Sequence, residues 1–482
     1  MKADVNIENE NGSTIHIEGT PAPHYTKEEE KRLVRRIDLH VMPWLCLTYA
    51  LSLIDRTNIG AARVAGMEAD LNLTGNRYSI VLMIFFITYI AVELPSNALI
   101  HRLGVKIYLP CLVAAWGVVA MCFGFLQNYG QMIALRILLG FFEGGFNPGC
   151  IFVISCWYKK YEVQRRLSIW FVSGSIISAF TGIFSYGLSR MDGSGGLEGW
   201  RWIFIVPGAV TAALALPLFY FIADFPERCE WLSPREREIM EFRRNGDGSN
   251  GQRDDEHAET QPEEEETATS GFLNAVTDWK VYAMSLLLML PTAGSYSFAF
   301  FTPTILSTLG YNTALSQILT TPPYIFSAIV SISMGILADH LKLRSPFIIA
   351  HSLLAIVGIA LIGWTSSTAS RLVGVFLAIT GNNCAIPAAL AFLSNNVPST
   401  SKRQFAVPLQ TVFGGVGGII GSLVFRPEDH PGYRPGLYAT FACLGLNIVI
   451  VAGLAVYFRV ENRRRDTRGK VLEGDVAFRY TL

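Results

Sequence analysis

The chain has 482 residues, of which 51% are hydrophobic and 16% charged, against roughly 25% charged in an ordinary soluble domain. That balance argues against a water-soluble enzyme, and Lys plus Arg equal Asp plus Glu at 39 each, so no basic excess points to nucleic acid. A spanning helix takes about 20 apolar residues, and twelve would fill about half of this length.

The first 40 residues are polar and hold no short apolar core followed by a small-residue cleavage site, so the first span is expected to insert the chain itself. Thr26 and Glu29 have the spacing of a helix start. Apolar windows follow at 41–61, 78–100, 107–126, 131–157, 167–190 and 201–222, then at 281–308, 314–338, 345–365, 371–394, 406–425 and 436–458. Between the two sets, Ser233, Pro234 and Glu236 read as N-cap, first-turn proline and capping-box glutamate, predicting a short helix over 233–244 on the membrane surface. Asp254 to Glu266 places eight acidic residues in thirteen without an apolar anchor, which predicts a solvated, disordered tether.

The expected fold class is an all-α integral membrane protein of twelve transmembrane helices in two six-helix bundles. Its parts are a tail 1–36, a first bundle 37–222, a linker 223–278, a second bundle 279–458 and a tail 459–482. With the N-terminus cytoplasmic, the inner loops and flanks carry twenty Lys and Arg, among them Lys159, Lys160, Arg165 and Arg166, against seven in the outer loops. The positive-inside rule therefore places both ends in the cytoplasm. Asn72, Leu73 and Thr74 form a glycosylation sequon in the first outer loop. Seven of the eight cysteines lie within apolar runs and Cys229 just after one. They read as small packing residues rather than a disulfide framework or zinc set.

Residues 97–106 (NALIHRLGVK) and 335–344 (GILADHLKLR) lie 238 apart at equivalent places in the two halves, the internal repeat expected of a transporter built from two similar bundles. The second copy resembles the cytoplasmic loop motif of the major facilitator superfamily, with Gly335, Asp339, His340 and Arg344 in place and Lys342 where glycine is usual. In the first copy Arg102, Gly104 and Lys106 fit, while Asn97 and His101 replace glycine and aspartate. The resemblance implies that both loops clasp neighbouring helix ends and switch during transport. A closer resemblance, from about 35 to 460, is to the anion:cation symporter branch and its fungal allantoate permease group, which carries nicotinate, pantothenate, biotin and allantoate. It rests on Ile54 to Gly60 (IDRTNIG), Glu93 to Asn97 (ELPSN), Arg136 to Pro148 (RILLGFFEGGFNP), Trp231 to Pro234 (WLSP), and Asn395-Asn396-Val397 with Lys402-Arg403. A monomer is what the family implies.

Independently of family, Asp55 and Arg56 in span one and Arg136 and Glu143 in span four are ionisable residues in apolar windows. A charge at the centre of a span costs roughly 2.5–3.5 kcal/mol, so the four are expected to face a polar cavity and one another. Arg136 and Glu143, two turns apart, share one helix face. A structural tie between spans one and four is the alternative reading. The expected mechanism is competition. The acids Asp55 and Glu143 hold Arg56 and Arg136 until a proton neutralises an acid and frees a guanidinium for an incoming carboxylate.

Tyr89, Tyr296, Asn382, Asn383 and Gln410 are further candidates for the cavity wall. Gly381 and Pro387 around the two asparagines suggest a locally broken helix. Gly414, Gly415, Gly417, Gly418 and Gly421 are expected to pack span eleven closely against a neighbour. No nucleophile constellation, metal cluster or cofactor fingerprint appears, so no enzyme and no cofactor is expected. The function expected is proton-coupled uptake of a small organic anion, with protons and the bilayer as the other partners, at the plasma membrane. A proton-antiport exporter and a non-transporting nutrient sensor are the alternatives. Leu167 to Arg190 lacks the proline of the antiporter motif, and the tail after Arg459 is short for a signalling domain.

Overall fold

The computed structural model describes residues 6–8, 14–16, 26–158, 160–226, 229, 231–249, 268–426, 429, 432–474 and 478–482. Apart from two paired three-residue strands, Asn6–Glu8 and Thr14–His16, these residues form helices and their connections. The acidic segment Asp254 to Glu266, expected to be a disordered tether, lies outside the described residues.

Helix α1 (Lys27–Ala62) begins at Thr26, whose hydroxyl accepts from the Glu29 N–H at 3.2 Å while its own N–H donates to the Glu29 carboxylate at 2.8 Å. These reciprocal bonds satisfy donors that a helix start leaves unpaired. The helix ends in a π-turn, Arg63–Met67, where Gly66 takes φ 118°, a conformation that a Cβ opposes. Next come α2 (Glu68–Asp70), α3 (Arg77–Leu103), α4 (Val105–Cys122), α5 (Tyr129–Glu143), α6 (Phe146–Trp157), α7 (Lys160–Ala179), α8 (Thr181–Ser189) and α9 (Gly199–Phe221). Outside that set lies α10 (Pro234–Ser249), started by mutual bonds between Ser233 and Glu236. Arg243 on α10 pairs with Glu30 at 3.1 Å and Glu162 at 2.8 Å, and Arg36 reaches Glu236 at 2.8 Å, so charge pairs fasten it to α1 and α7. The remainder comprises α11 (Ala268–Thr277), α12 (Trp279–Thr308), α13 (Thr313–Ile318), α14 (Thr321–Leu341), α15 (Ser345–Trp364), α16 (Thr368–Asn396), α17 (Thr400–Val424) and α18 (Arg434–Arg468).

Ten of these helices or joined helix pairs are long and apolar enough to cross a membrane among the described residues. The windows 78–100 and 167–190 fall on α3 and on the α7–α8 pair. Three windows read as single spans are broken: 131–157 at Gly144–Gly145, 167–190 at Phe180 and 314–338 at Leu319–Thr320. Two of the breaks have local causes, since glycine is a poor helix former and Pro322 and Pro323 fit only the first turn of a new helix. Conversely, α16 runs unbroken through Gly381, Asn382, Asn383 and Pro387, against the expectation of a broken helix. The Asn382 amide donates back to the Ala378 carbonyl at 2.8 Å, a local bond that leaves the helix intact.

Helices before residue 226 pack mainly on one another, as do those after 268; the two sets meet where α1 touches α12, α3 touches α17, α7 touches α14 and α8 touches α13. In lipid, such packing depends on close backbone approach at small residues. A Cβ on Gly117 of α4 would lie 2.4 Å from the Ala212 nitrogen of α9, and on Gly417 and Gly421 of α17 2.5 Å from the Met289 and Ala293 carbonyls of α12. Between the sets, Gly60 meets the Phe300 carbonyl, Gly182 the Gln317 carbonyl, and Gly415 and Gly418 the side chains of Ile90 and Phe86. The Gly60 and Gly182 contacts seal the two halves together at the end remote from the start of α1.

At the other end the last residues fold back. Lys402 reaches Asp278 at 2.6 Å and Glu473 at 2.7 Å, and Lys280 also donates to Glu473. Tyr480 stacks on Phe458 at 4.3 Å, the Thr481 N–H donates to Asn396 at 2.8 Å, and the Arg344 N–H to the Leu482 carbonyl at 2.6 Å. Burial alone would push the Glu473 carboxyl up. Hydrogen bonds from Lys280, Lys402 and Tyr480 outweigh it and hold the group at about 2, below the roughly 4.3 of a free glutamate. A lowered carboxyl stabilises docking above the free value, and that contribution is lost as pH falls through the bound one. Hydrogen exchange at residues 478–482 should therefore stay slow down to about pH 4 and accelerate toward about pH 2. In Glu473→Gln it should already be fast at neutral pH.

Candidate functional site

The site is built on the second half of α1. Arg56 is 3% exposed and Glu143, the last residue of α5, 1%. The Arg56 Nη2 donates to Glu143 Oε1 at 2.6 Å and Nε to the same oxygen at 3.2 Å. Ser52, one turn earlier on α1, adds a third bond to Oε1 from its hydroxyl. The second carboxylate oxygen, Oε2, is buried without a partner. From the other half of the molecule, the Tyr296 hydroxyl of α12 accepts from Arg56 Nη1 at 2.8 Å. The guanidinium carbon also lies 5.1 and 5.0 Å from the ring centres of Phe85 and Tyr89, within cation–π range.

Arg56 opens onto a cavity of about 350 Å³ between the two halves, within the size range of small-molecule sites. Tyr49, Tyr89, Glu93, Asn147 and Trp170 line it from the first half; Ser295, Tyr296, Asn383 and Thr411 from the second. The donor inventory favours an anion. Three of the five guanidinium N–H groups are engaged, which leaves two. The Tyr89 hydroxyl accepts from Asn147 at 2.7 Å, and that of Tyr296 accepts from Arg56. Each phenol therefore keeps its own hydrogen to give.

The four intramembrane charges do not form one cluster. Asp55 is turned by about 100° around α1 from Arg56 and points to α9, where it accepts from the Thr211 hydroxyl at 2.9 Å. It neither pairs with Arg56 nor lines the cavity. Arg136 shares a helix face with Glu143 but is displaced by about 10 Å along the axis. Gly140 between them sits against Phe85 and Thr88 of α3, so Arg136 is cut off beyond Phe85. It is 1% exposed, 5.2 Å from the Phe123 ring and 6.0 Å from that of Phe85. Its Nε is buried without a hydrogen-bond partner, and among the described residues it makes no ion pair. Of the four charges expected to face a polar cavity and one another, only Arg56 and Glu143 pair.

Among the other candidates, Tyr89, Tyr296 and Asn383 line the cavity, and Ser295 donates to the Asn383 side chain at 2.5 Å. Asn382 and Gln410 do not. Consecutive asparagines face different directions, and Asn382 packs against Gly294. The Gln410 amide bridges the Met284 and Ala389 carbonyls, both at 3.1 Å, which ties α17 to α12 and α16. Sequence reasoning missed Ser52, Asn147, Thr411 and Glu93 as site residues. Glu93 satisfied the criterion that selected the others, a charge inside an apolar window. In the repeated loops, Gly104 at φ 79° joins α3 to α4, and the adjoining Val105 N–H donates to Asp224 at 3.1 Å. Arg102, Lys106 and Gly335 are exposed, and Asp339 pairs with Arg344. Lys342 adopts φ 55°, the left-handed conformation that accounts for the glycine usual there.

A family model described as Major Facilitator Superfamily matches residues 45–422. The chain belongs to that superfamily. It is 30% identical to the MFS-type transporter efuF of Hormonema carpetanum, over 99% of this chain and 96% of that protein. It is 31% identical to the major facilitator-type transporter hxnP of Emericella nidulans, over 94% and 91%. Among solved structures, a bacterial homolog of the human lysosomal transporter Spinster, in an inward-facing and occupied conformation, superposes with a TM-score of 0.63 at 15% identity, covering 91% of this chain and 98% of that one. The protein is a multi-pass membrane transporter and not an enzyme.

The two buried arginines should respond oppositely to an apolar replacement of similar size. Arg56→Met leaves Glu143 buried without its cation and should lose about 3–5 kcal/mol of stability. Arg136→Met removes a buried charge that has no ion-pair partner and should be neutral or stabilising. Thermal unfolding of the two variants in detergent checks the contrast.

Proposed function

We propose that this transporter takes up a small organic anion, a carboxylate of the vitamin or nicotinate type, together with a proton. Both chain ends are cytoplasmic, and α3 and the α7–α8 pair complete twelve spans in two six-helix bundles. On this topology the seal at Gly60 and Gly182 faces outward and the cavity is in its inward-facing state. The same reading puts the chain in the allantoate permease group of the anion:cation symporter branch and in the plasma membrane. The distribution of Lys and Arg and the motifs around Asp55, Glu93, Arg136 and Trp231 support it.

The observation that carries the mechanism is the one-sided pairing of Glu143 with Arg56. All three donors converge on Oε1, leaving Oε2 bare and buried. A proton on Oε2 neutralises the carboxylate and releases the guanidinium from its counter-charge. The substrate carboxylate then takes that place, with Arg56 presenting its planar fork and Tyr89 and Tyr296 adding phenol hydrogens. Proton and anion thus stabilise each other in the loaded carrier, and one half rocks against the other with its charges paired. Asp55, bonded to Thr211, acts from the far side of α1 as a secondary proton site, and Arg136 shapes the field around Glu143 through Phe85. Asn383, across the cavity, contacts the neutral part of the substrate, while Asn382 and Gln410 hold the helices that carry it. The loops around Arg102, Gly104 and Lys106 and around Gly335, Asp339 and Arg344 change partners as the halves rock. The carrier works as a monomer, without a cofactor.

The test is uptake of a panel of labelled carboxylates, nicotinate and allantoate included, into proteoliposomes at two external pH values. Uptake of at least one should rise at acidic pH. Glu143→Gln should keep substrate exchange across the membrane while losing accumulation driven by a proton gradient. Unchanged accumulation in that variant would remove Glu143 from the coupling step.

A further inference from the structure

Glu93, on α3, is a third carboxyl inside the membrane region, 3% exposed and in the wall of the cavity. Its partner is the Thr411 hydroxyl of α17, 2.8 Å from Glu93 Oε1, on the other half of the molecule. The same hydroxyl lies 2.8 Å from the Pro408 carbonyl. Glu93 Oε2 is buried without a partner, and no cation forms an ion pair with Glu93 among the described residues. Of the charged and titratable groups, Arg56 from α1 and Tyr89 on α3 act on it electrostatically, Glu143 from α5 and Tyr296 from α12 lie around Tyr89, Tyr49 from α1 lines the same cavity, and Tyr108 from α4 bonds to Ser96, three residues after Glu93; α6 and α17 bring the uncharged Asn147 and Thr411. Of these, only Thr411 is within hydrogen-bond distance of its carboxyl.

A hydroxyl carries one hydrogen, whereas Thr411 faces two acceptors if Glu93 is ionised. The single hydrogen would then be contested between a buried carboxylate and a backbone carbonyl, and Oε2 would remain bare, a costly arrangement for a charge out of water. With a proton on Oε1 the chain closes. Glu93 donates to Thr411, Thr411 donates to Pro408, and the buried carboxyl carries no charge.

We infer that Glu93 is held as the neutral acid in this conformation, and that its bond to Thr411 is a proton-operated tie between the two halves, separate from the Arg56–Glu143 pair. The inference rests on the proton-coupled reading above for its role in transport, though the protonation state and the tie stand without any substrate. Protonated, Glu93 holds α3 on α17 beside the cavity. When the proton leaves, the carboxylate meets a hydroxyl already engaged by Pro408, and α3 and α17 separate toward water.

Two measurements on the full chain in lipid nanodiscs, without substrate, test this. The infrared spectrum of the wild type should contain a carbonyl stretch of a protonated carboxylic acid that is missing from Glu93→Gln. An identical band in both would overturn the inference. Spin labels on α3 and α17 should report a short distance at acidic pH whose population falls about tenfold per unit of pH above the titration point. Glu93→Gln, whose amide still donates to Thr411, should keep the short distance at every pH. Thr411→Val should lose it while keeping the wild-type fold. A wild-type pH response in Glu93→Gln would overturn the tie. If no carboxylate is carried, the proposed substrate fails while these spectra still decide for or against Glu93.

Discussion

The structure depends on one ion pair held out of water. A guanidinium and a carboxylate placed between membrane helices carry a desolvation cost of several kcal/mol each, which their attraction offsets only when the remaining hydrogen bonds are well placed. Arg56 meets that condition: it has Glu143 on one side, Tyr296 on another and the faces of Phe85 and Tyr89 around it. Glu143 meets it by halves, with one oxygen crowded by donors and the other bare. The cation keeps two unengaged N–H groups for a ligand, while the anion has one buried oxygen without a donor, which is the asymmetry a proton can exploit.

The scaffold brings that pair to the interface between the halves. Glycines on α1 and α8 let the opposing helices approach to backbone contact and those on α17 make room for Ile90 and Phe86 of α3; among the described residues two bonds between side chains cross the interface beside the cavity, Arg56 to Tyr296 and Glu93 to Thr411. Both involve an ionisable group of the first half and a neutral hydroxyl of the second. Loading of the first half with protons and anion can therefore be read by the second half without a buried charge of its own at this interface.

Much of the fold was legible in the sequence because its cause is local. Apolar length marks each helix, the Thr26–Glu29 and Ser233–Glu236 spacings mark two helix starts, and the glycines of α17 marked its close packing. The breaks after Glu143 and before Pro322 were legible in principle from Gly144–Gly145 and the two prolines, but apolar length alone ran straight through them. The site was legible as a set of unusual residues and not as a geometry. A charge in an apolar window must be accommodated, yet spacing along one helix does not say which neighbour accommodates it. Arg56 and Asp55 are adjacent in sequence and diverge around α1; Arg136 and Glu143 share a face and are parted by Phe85. Of the two amides in spans, Gln410 proved to be a helix tie because carbonyls of two neighbouring helices were in reach, whereas Asn382 bonds back to a carbonyl of its own helix. Glu93 was legible as a charge inside an apolar window, but its tie to the other half was not, because Thr411 is 318 residues away and uncharged.

The account's central claim is that the anion replaces Glu143 on Arg56 when Glu143 takes a proton. Calorimetry of carboxylate binding in buffers of different ionisation enthalpy measures the protons bound with each anion. At neutral pH the wild type should take up about one proton per anion and Glu143→Gln almost none, since Glu93 already holds its proton before binding. Equal proton uptake by the two proteins would contradict the claim.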